Sequence, residues 1–356
     1  MTFKVTVADA TPSLSRVKAA ERKPVRVGVV QTKWHSDPAE HEAVLLEGIR
    51  LAAQSGAEIV FLPELTLSRY MADTLPTGTP NDLAEQLDGG PTHTLAAKAA
   101  AENDVYVHIS LYEHEARADG RGLNCAIIVA PTGEIIARTP KLHIPVTAGY
   151  YEDQYFAPGP ADGEPYPVYE VEFAESTANI GLPTCWDEWF PEVTRNYSLR
   201  GAEVLAYPTA IGSEPDHPDF DTEPLWRQVI VGNGIANGTF MVVPNRYGNE
   251  GSIEFYGSSF ISDPYGRILA RAGRDGDEVL VADLLTAEGI ARVAQRLASP
   301  TLPVDLLVNN AGFGSSGTFL SVPVNNSTGQ IDLNVRALVE LSHAALHAFQ
   351  ERKRGY

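Results

Sequence analysis

From Val25 onward, short β-branched apolar runs alternate with stretches of helical period, and this alternation constrains the fold more than any other feature. A chain that keeps switching between period two and period 3.6 must cover sheet faces with helices, which implies a layered α/β domain. VRVGVVQT (25–32) reads as a strand, HEAVLLEGIRLAAQSG (41–56) as an amphipathic helix closed by Gly56, and EIVFLPEL (58–65) as the next strand. The stretch 92–104 is helical, whereas 105–114, 123–131 and 133–141 read as consecutive strands with a turn at Pro131–Gly133. Three strands in succession exclude a purely parallel sheet.

After the Pro- and Gly-rich segment 157–167 come strands at 168–173 and 179–185, a helix opening near Pro191, and a strand at 203–209. Further strands are expected at 240–248, 258–263, 267–272 and 278–284. Beyond Asp283 the character changes. A helix at 286–299, a strand at 305–310, the loop GFGSSG (312–317) and a long helix at 330–353 form a small α/β appendage. The expected organisation is an extension over 1–23, a main domain over 24–284 and the appendage over 285–356.

With 46 acidic against 27 basic side chains the net charge is −19, which opposes binding to nucleic acid or an anionic membrane. Hydrophobic residues at 44% supply a sizeable core. Two cysteines in 356 residues are no disulfide framework, so a reducing, cytoplasmic setting is expected. Charged residues break up the first 23 positions, leaving no apolar core for a secretory signal, and no run is long enough to span a membrane.

Cys185 lies where an apolar strand runs into a polar turn and then a helix. A thiol facing a helix N-terminus is favoured as a thiolate nucleophile, although a buried inert thiol fits the same local sequence. Cys125, inside the apolar run LNCAIIVA, reads as core. A cysteine nucleophile needs a base, and none of the nine histidines is well placed for it. Glu64 and Lys141 both close strand-like runs, Glu64 behind Pro63 and Lys141 behind Pro140. Each alone fits a rim position; together with Cys185 they supply a base, a cation and a nucleophile at strand ends, where α/β folds place their sites.

The blocks FLPEL, RTPKLHIP and GLPTCWDEWFPE, separated by 77 and 44 residues at Glu64, Lys141 and Cys185, resemble the signature blocks of the nitrilase, or carbon–nitrogen hydrolase, superfamily. Segments 201–215, 233–246 and 255–266 resemble its N-carbamoylputrescine amidase and β-ureidopropionase-like branch. The resemblance covers residues 25–284. It implies a four-layer α-β-β-α sandwich, assembly into a homodimer or larger homo-oligomer, and a Glu-Lys-Cys triad needing neither metal nor cofactor. Glu64 would be the general base, Cys185 the nucleophile, and Lys141 the oxyanion partner together with the backbone N–H of Trp186. Glu152 matches the second glutamate of many members, with a basic or lysine-positioning role. Pro140 stands where relatives often have arginine.

The implied reaction is hydrolysis of a non-peptide C–N bond in a small amide or carbamoyl substrate. Asp187 and Glu188 point to an N-carbamoyl amine if they face a cation, and otherwise cap the helix opening at Pro191. Omega-amidase, aliphatic amidase and nitrilase activities of the same family are the alternatives. Segments 304–319 and 330–346, with NNAG at 309–312 and Asn334, resemble the central part of short-chain dehydrogenases. The glycine-rich turn before them and the Tyr-x-x-x-Lys after them are absent. The appendage therefore reads as a fragment without NAD(P) binding, and an NAD(P)-dependent oxidoreductase or a non-catalytic fusion ranks below the hydrolase. GNGIANG (232–238) lacks the dinucleotide spacing, and neither G-x-S-x-G nor H-E-x-x-H occurs.

Overall fold

The computed structural model describes residues 2–9, 11, 23–159, 163–284 and 338–354. They divide into two units, one of Met1–Thr11 with Pro24–Leu284, the other of Pro12–Lys23 with Leu285–Tyr356. In the second unit the described secondary structure is the helix Leu338–Arg352, within the long helix expected over 330–353. The expected elements at 286–299 and 305–310, the GFGSSG loop, NNAG and Asn334 lie outside the described residues.

The described residues of the first unit hold two large sheets and a two-stranded one. One has seven strands in the order β1 (Lys4–Val7), β15 (Glu278–Leu284), β2 (Val25–Gln31), β3 (Ile59–Phe61), β4 (Tyr106–Glu113), β5 (Leu123–Val129) and β6 (Ile135–Pro140). The other has six, in the order β14 (Ile268–Arg271), β13 (Phe260–Ser262), β10 (Phe240–Val243), β9 (Val204–Ala206), β8 (Thr177–Gly181) and β7 (Val168–Glu172). Strands β11 (Tyr247–Glu250) and β12 (Ile253–Tyr256) make a separate antiparallel pair. As three consecutive strands require, the first sheet is mixed: β2–β3 and β3–β4 pair parallel, β4–β5 and β5–β6 antiparallel.

Alternation along each strand explains the layering. Val25, Val27 and Val29 of β2, Ala126 and Ile128 of β5 and Leu280 and Ala282 of β15 meet Ile180, Val204, Ala206 and Val242 of the other sheet in one core between the sheets. The opposite faces, with Val30, Ile127, Val279 and Val281, pack under Leu45 and Ile49 of α1 (Pro38–Gln54) and Leu95 and Ala99 of α2 (Pro91–Asn103). Leu205, Met241 and Val243 of the second sheet pack under Val193 and Tyr197 of α3 (Pro191–Leu199) and Trp226 and Ile230 of α4 (Glu223–Asn237). The fold is thus an α-β-β-α sandwich. Helix α1 lies close to the sheet because Gly48 has no side chain; a Cβ there would stand 2.6 Å from Val30 Cγ1.

Most expected elements in the described residues are present, but the sequence pattern does not predict β1, α4 or β12, and several boundaries depart from it. Helix α1 starts at Pro38, where Asp37 accepts from the amides of Ala39 and Glu40. The run read as 58–65 is a strand for three residues only. Leu62 and Leu65 are fully buried, but outside the strand, Leu62 in irregular backbone and Leu65 in a turn. The run 240–248 breaks at Pro244, which cannot donate to a ladder, so β10 and β11 belong to different sheets. Within the expected N-terminal extension, Lys4–Val7 pair in parallel with β15 as the sheet's edge.

Candidate active site

Each of the three singled-out side chains follows a strand end, and loops from both sheets bind their backbones together. Glu64 begins a turn three residues past β3, Lys141 comes directly after β6, and Cys185 opens a short 3-10 turn (Cys185–Trp189) beyond β8. The Glu64 amide donates to Thr209 O at 3.4 Å and the Cys185 amide to Pro208 O at 3.1 Å, so both are tethered to the segment after β9. Lys141 N donates to Asn124 O at 2.8 Å. Cys185 and Leu65 hold left-handed backbones at φ 41° and 49°, strain that persists only where surrounding contacts over-determine it.

The side chains converge. Lys141 Nζ donates to Glu64 Oε1 at 2.8 Å and to Glu152 Oε2 at 2.6 Å, with all three groups sealed from solvent. Asn124 Nδ2 donates to the same Glu64 oxygen at 2.8 Å, while Glu64 Oε2 has no hydrogen-bond partner among the described residues. Glu152, brought in by a turn 11 residues past Lys141, also accepts from the Tyr70 hydroxyl at 2.7 Å.

The electrostatics follow from burial and crowding. Desolvation by itself would lower the Lys141 pKa, but Glu152 and Glu64 override it and hold the ammonium well above its usual range. Burial and then Glu64 push the Cys185 thiol well above its ordinary value, against the opposing pull of Lys141. The sulfur is thus within range of both charges and is a protonated thiol at rest. The Glu152 carboxyl is raised to about 7, by burial first and by Glu64, with Lys141 and Tyr70 pulling it down. Among the described residues no group of three or more His, Cys, Asp or Glu side chains is disposed to hold a metal ion. No described helix is long and apolar enough to cross a membrane.

Asp187 and Glu188 are not where a substrate-facing pair would be. Asp187 folds back over its own turn: Oδ1 accepts from His143 N at 2.9 Å and His143 Nδ1–H at 2.7 Å, and Oδ2 from Thr184 N at 3.0 Å. Both oxygens are spent, so Asp187 caps the turn that carries Cys185 rather than the helix at Pro191, and offers nothing to an amine. Glu188 is 1% exposed, with Oε1 accepting from Trp226 Nε1 at 2.7 Å and Oε2 unpartnered among the described residues. Burial holds its carboxyl well above the usual range, against the hydrogen bond from Trp226, so its charged form is disfavoured. Trp186 is the second residue of the 3-10 turn, where backbone N–H groups lack partners within the turn. The other thiol, Cys125, donates to Glu113 Oε2 at 2.9 Å in a site closed to solvent.

Four residues of this neighbourhood carry no local sequence signal. Asn124, Tyr70, Arg246 and Glu250 reach Glu64, Glu152 or the turn after Glu64 across up to 182 residues of chain.

Against known families, the model described as carbon-nitrogen hydrolase matches residues 26–291. That described as short chain dehydrogenase matches 264–356. The two overlap at 264–291, where β14 and β15 pair with β13 and with β1 and β2. A citrullinase of Francisella tularensis subsp. tularensis is 36% identical over 268 residues, covering 74% of this chain and 90% of the relative. An N-carbamoylputrescine amidase of Solanum lycopersicum is 35% identical over 272 residues, covering 74% and 87%. Among solved structures, a carbon-nitrogen hydrolase from Helicobacter pylori G27 is similar at a TM-score of 0.64 and 30% identity, covering 73% of this chain and 89% of that one.

Proposed function

This chain belongs to the carbon-nitrogen hydrolase family and is a hydrolase of non-peptide C–N bonds; from that premise we propose that it is a thiol amidohydrolase acting on the terminal carbamoyl group of an N-carbamoyl amine. The observation that carries the reading is the sealed Glu64–Lys141–Glu152 arrangement within electrostatic range of Cys185.

In this mechanism Cys185 is a thiol until substrate arrives. Glu64 takes the thiol proton at Oε2, the oxygen that no side chain occupies, as sulfur bonds to the carbonyl carbon. The Lys141 ammonium has three N–H bonds and spends two on Glu64 and Glu152, leaving the third, with the Trp186 backbone N–H, for the developing oxyanion. The tetrahedral adduct collapses by breaking the bond to the terminal nitrogen. That nitrogen leaves as ammonia with the proton held by Glu64, and an S-carbamoyl enzyme remains. Water attacks this thioester while Glu64 takes its proton, the C–S bond breaks, and the thiol recovers a proton. The released carbamic acid decomposes to carbon dioxide and the amine.

The carbamoyl part of the reading is supported by two relatives above 30% identity whose named substrates, citrulline and N-carbamoylputrescine, both end in a ureido group. With Asp187 spent and the charged form of the buried Glu188 disfavoured, the pair does not support selection by a cation, so the choice between the two rests elsewhere. The 36% relative favours citrulline as the second reading. Ammonia release is measured with N-carbamoylputrescine, citrulline, N-carbamoyl-β-alanine and a simple aliphatic amide. Turnover of N-carbamoylputrescine, abolished in Cys185→Ala, is expected. Turnover of the aliphatic amide alone would discard the carbamoyl specificity, and unchanged turnover in Cys185→Ala would discard the mechanism.

A further inference from the structure

We propose that Arg246, braced by Glu250, is the positioning residue for the base Glu64, an inference that rests on the amidohydrolase reading for the role of Glu64. Arg246 lies between β10 and β11, 3% exposed, and its guanidinium reaches across to the turn after β3. Nη2 donates to Glu64 O at 2.6 Å and Leu65 O at 2.9 Å, and Nη1 donates to Ser68 O at 3.3 Å. The same Nη1 donates to Glu250 Oε1 at 2.8 Å and Oε2 at 3.0 Å, and Glu250 Oε2 accepts from the Tyr70 amide at 2.8 Å. One buried ion pair thus fixes main-chain groups of residues 64, 65, 68 and 70.

The turn needs such a brace. Leu65 holds a left-handed backbone that a branched side chain disfavours, and the bond from the Glu64 amide to Thr209 is long at 3.4 Å. Glu64 also keeps Oε2 unpartnered, so where that oxygen sits depends on Lys141, Asn124 and the main chain beneath it. Stability alone does not call for this pair, since a buried ion pair is commonly matched by neutral residues of similar volume. A planar fork that ties two consecutive carbonyls is a geometric device.

The test uses the full chain with the charge-balanced Arg246→Met/Glu250→Gln variant, so that no lone charge is left buried, and with Arg246→Lys. Two readouts are taken: kcat and KM for the hydrolysed ureido compound, and the rate of iodoacetamide alkylation at Cys185, located by mass spectrometry from pH 5 to 10. The double variant is expected to lose about 100-fold in kcat with KM within about threefold, because a base displaced by about 1 Å costs that order of rate. Because the Glu64 charge raises the Cys185 thiol, moving it away is expected to speed alkylation at pH 7 about tenfold, with Arg246→Lys intermediate in both. Arg26→Met, which breaks a pair with Asp283 away from the site, is the control for lost stability.

Wild-type kcat and alkylation in the double variant would overturn the proposal. So would an equal loss of kcat in Arg26→Met at a matched drop in melting temperature. If the double variant fails to fold, Arg246→Lys decides by the same two readouts. If no ureido compound turns over in the wild type, alkylation separates the two claims: faster alkylation in both Glu64→Gln and the double variant keeps the positioning role while the substrate reading falls.

Discussion

Replacing Tyr70 by Phe deletes one hydroxyl and keeps the ring, whose edge-on contacts with Tyr150 and Phe255 have centroids 5.9 and 5.5 Å away. That hydroxyl donates to Glu152 Oε1 at 2.7 Å. The bond favours the charged form of a carboxyl that burial and Glu64 hold at about 7 even with Lys141 and Tyr70 opposing them. A hydrogen bond to a charged group contributes about 1.5–3 kcal/mol, and one pKa unit corresponds to about 1.4 kcal/mol, so its loss raises the Glu152 carboxyl by about one to two units. The sign is set by which form the hydroxyl supports. Losing a donor to the carboxylate makes protonation easier, so the proton arrives at higher pH. Where activity needs ionised Glu152 beside Lys141, the acid limb of kcat/KM moves from about 7 in the wild type to about 8–9 in Tyr70→Phe. Ammonia release from pH 5 to 10 measures this. A limb that stays in place, or a uniform loss at every pH, refutes the assignment of that limb to Glu152.

Lys141→Met removes the cation between Glu64 and Glu152 and the third N–H aimed at the oxyanion; kcat is expected to fall by at least 100-fold, and a loss below tenfold would remove Lys141 from that role. His108 lies between the sheets with its pKa pushed by burial to about 3, against about 6.5 unfolded. The unfolded chain therefore binds the extra proton between those values, and stability drops as pH falls through them. Chemical denaturation of His108→Leu should lack about 2–3 kcal/mol of the wild-type loss between pH 7.5 and 4.5, and parallel pH dependences would contradict this. Gly48→Ala puts a Cβ against Val30 and is expected to cost about 1–3 kcal/mol in a thermal melt, with the opposite sign counting against the close approach of α1.

The layers were legible because each buried strand face carries a β-branched or aliphatic repeat, as Val25, Val27 and Val29 toward one core and Val30 toward the other make plain. What periodicity cannot register is apolar burial in irregular backbone. Leu62 and Leu65 are as buried as any strand residue, so the run 58–65 looked continuous although the chain leaves the sheet at Phe61 and turns at Glu64. The edge strand at Lys4–Val7 was hidden for the opposite reason. Val5 and Val7 are 41% and 52% exposed, and an edge has little apolar signature.

At the site, Glu64, Lys141 and Cys185 could be picked out because each follows an apolar run into a polar turn. Glu152 could not, and it came into view only through family resemblance. Arg246 closes a segment of family resemblance, but neither it nor Tyr70 could be given a role because their partners are distant in the chain, and an arginine after Pro-Asn says nothing of a carbonyl 182 residues away. Asp187 misled because two acids after a tryptophan look solvated. Its return to Thr184 N and His143 follows the left-handed backbone of Cys185, which no local rule assigns to cysteine.

That folded-back turn and the acids around it account for the proton inventory. One ammonium, Lys141, faces Glu64 and Glu152 directly, and the buried carboxyl of Glu188 lies within electrostatic range of Glu64 and Lys141. A single cation cannot offset three carboxylates out of water, so protons fill the deficit. Burial favours the protonated form of Glu188, Glu152 exchanges a proton near neutrality, and Cys185 retains its own. A thiolate waiting in this field would add another negative charge to an acidic pocket, which is why activation must wait for a carbonyl to draw off the charge as it forms. Nucleophile and oxyanion are thereby linked: deprotonating the sulfur becomes favourable only when the negative charge can pass to an oxygen facing Lys141. An alkylating agent with no such oxygen should then react slowly with Cys185 at neutral pH, whereas an acyl donor reacts rapidly. The ratio of those two rates measures how far the site holds its nucleophile in reserve, and a fast, pH-independent alkylation would show that the thiolate exists before substrate binds.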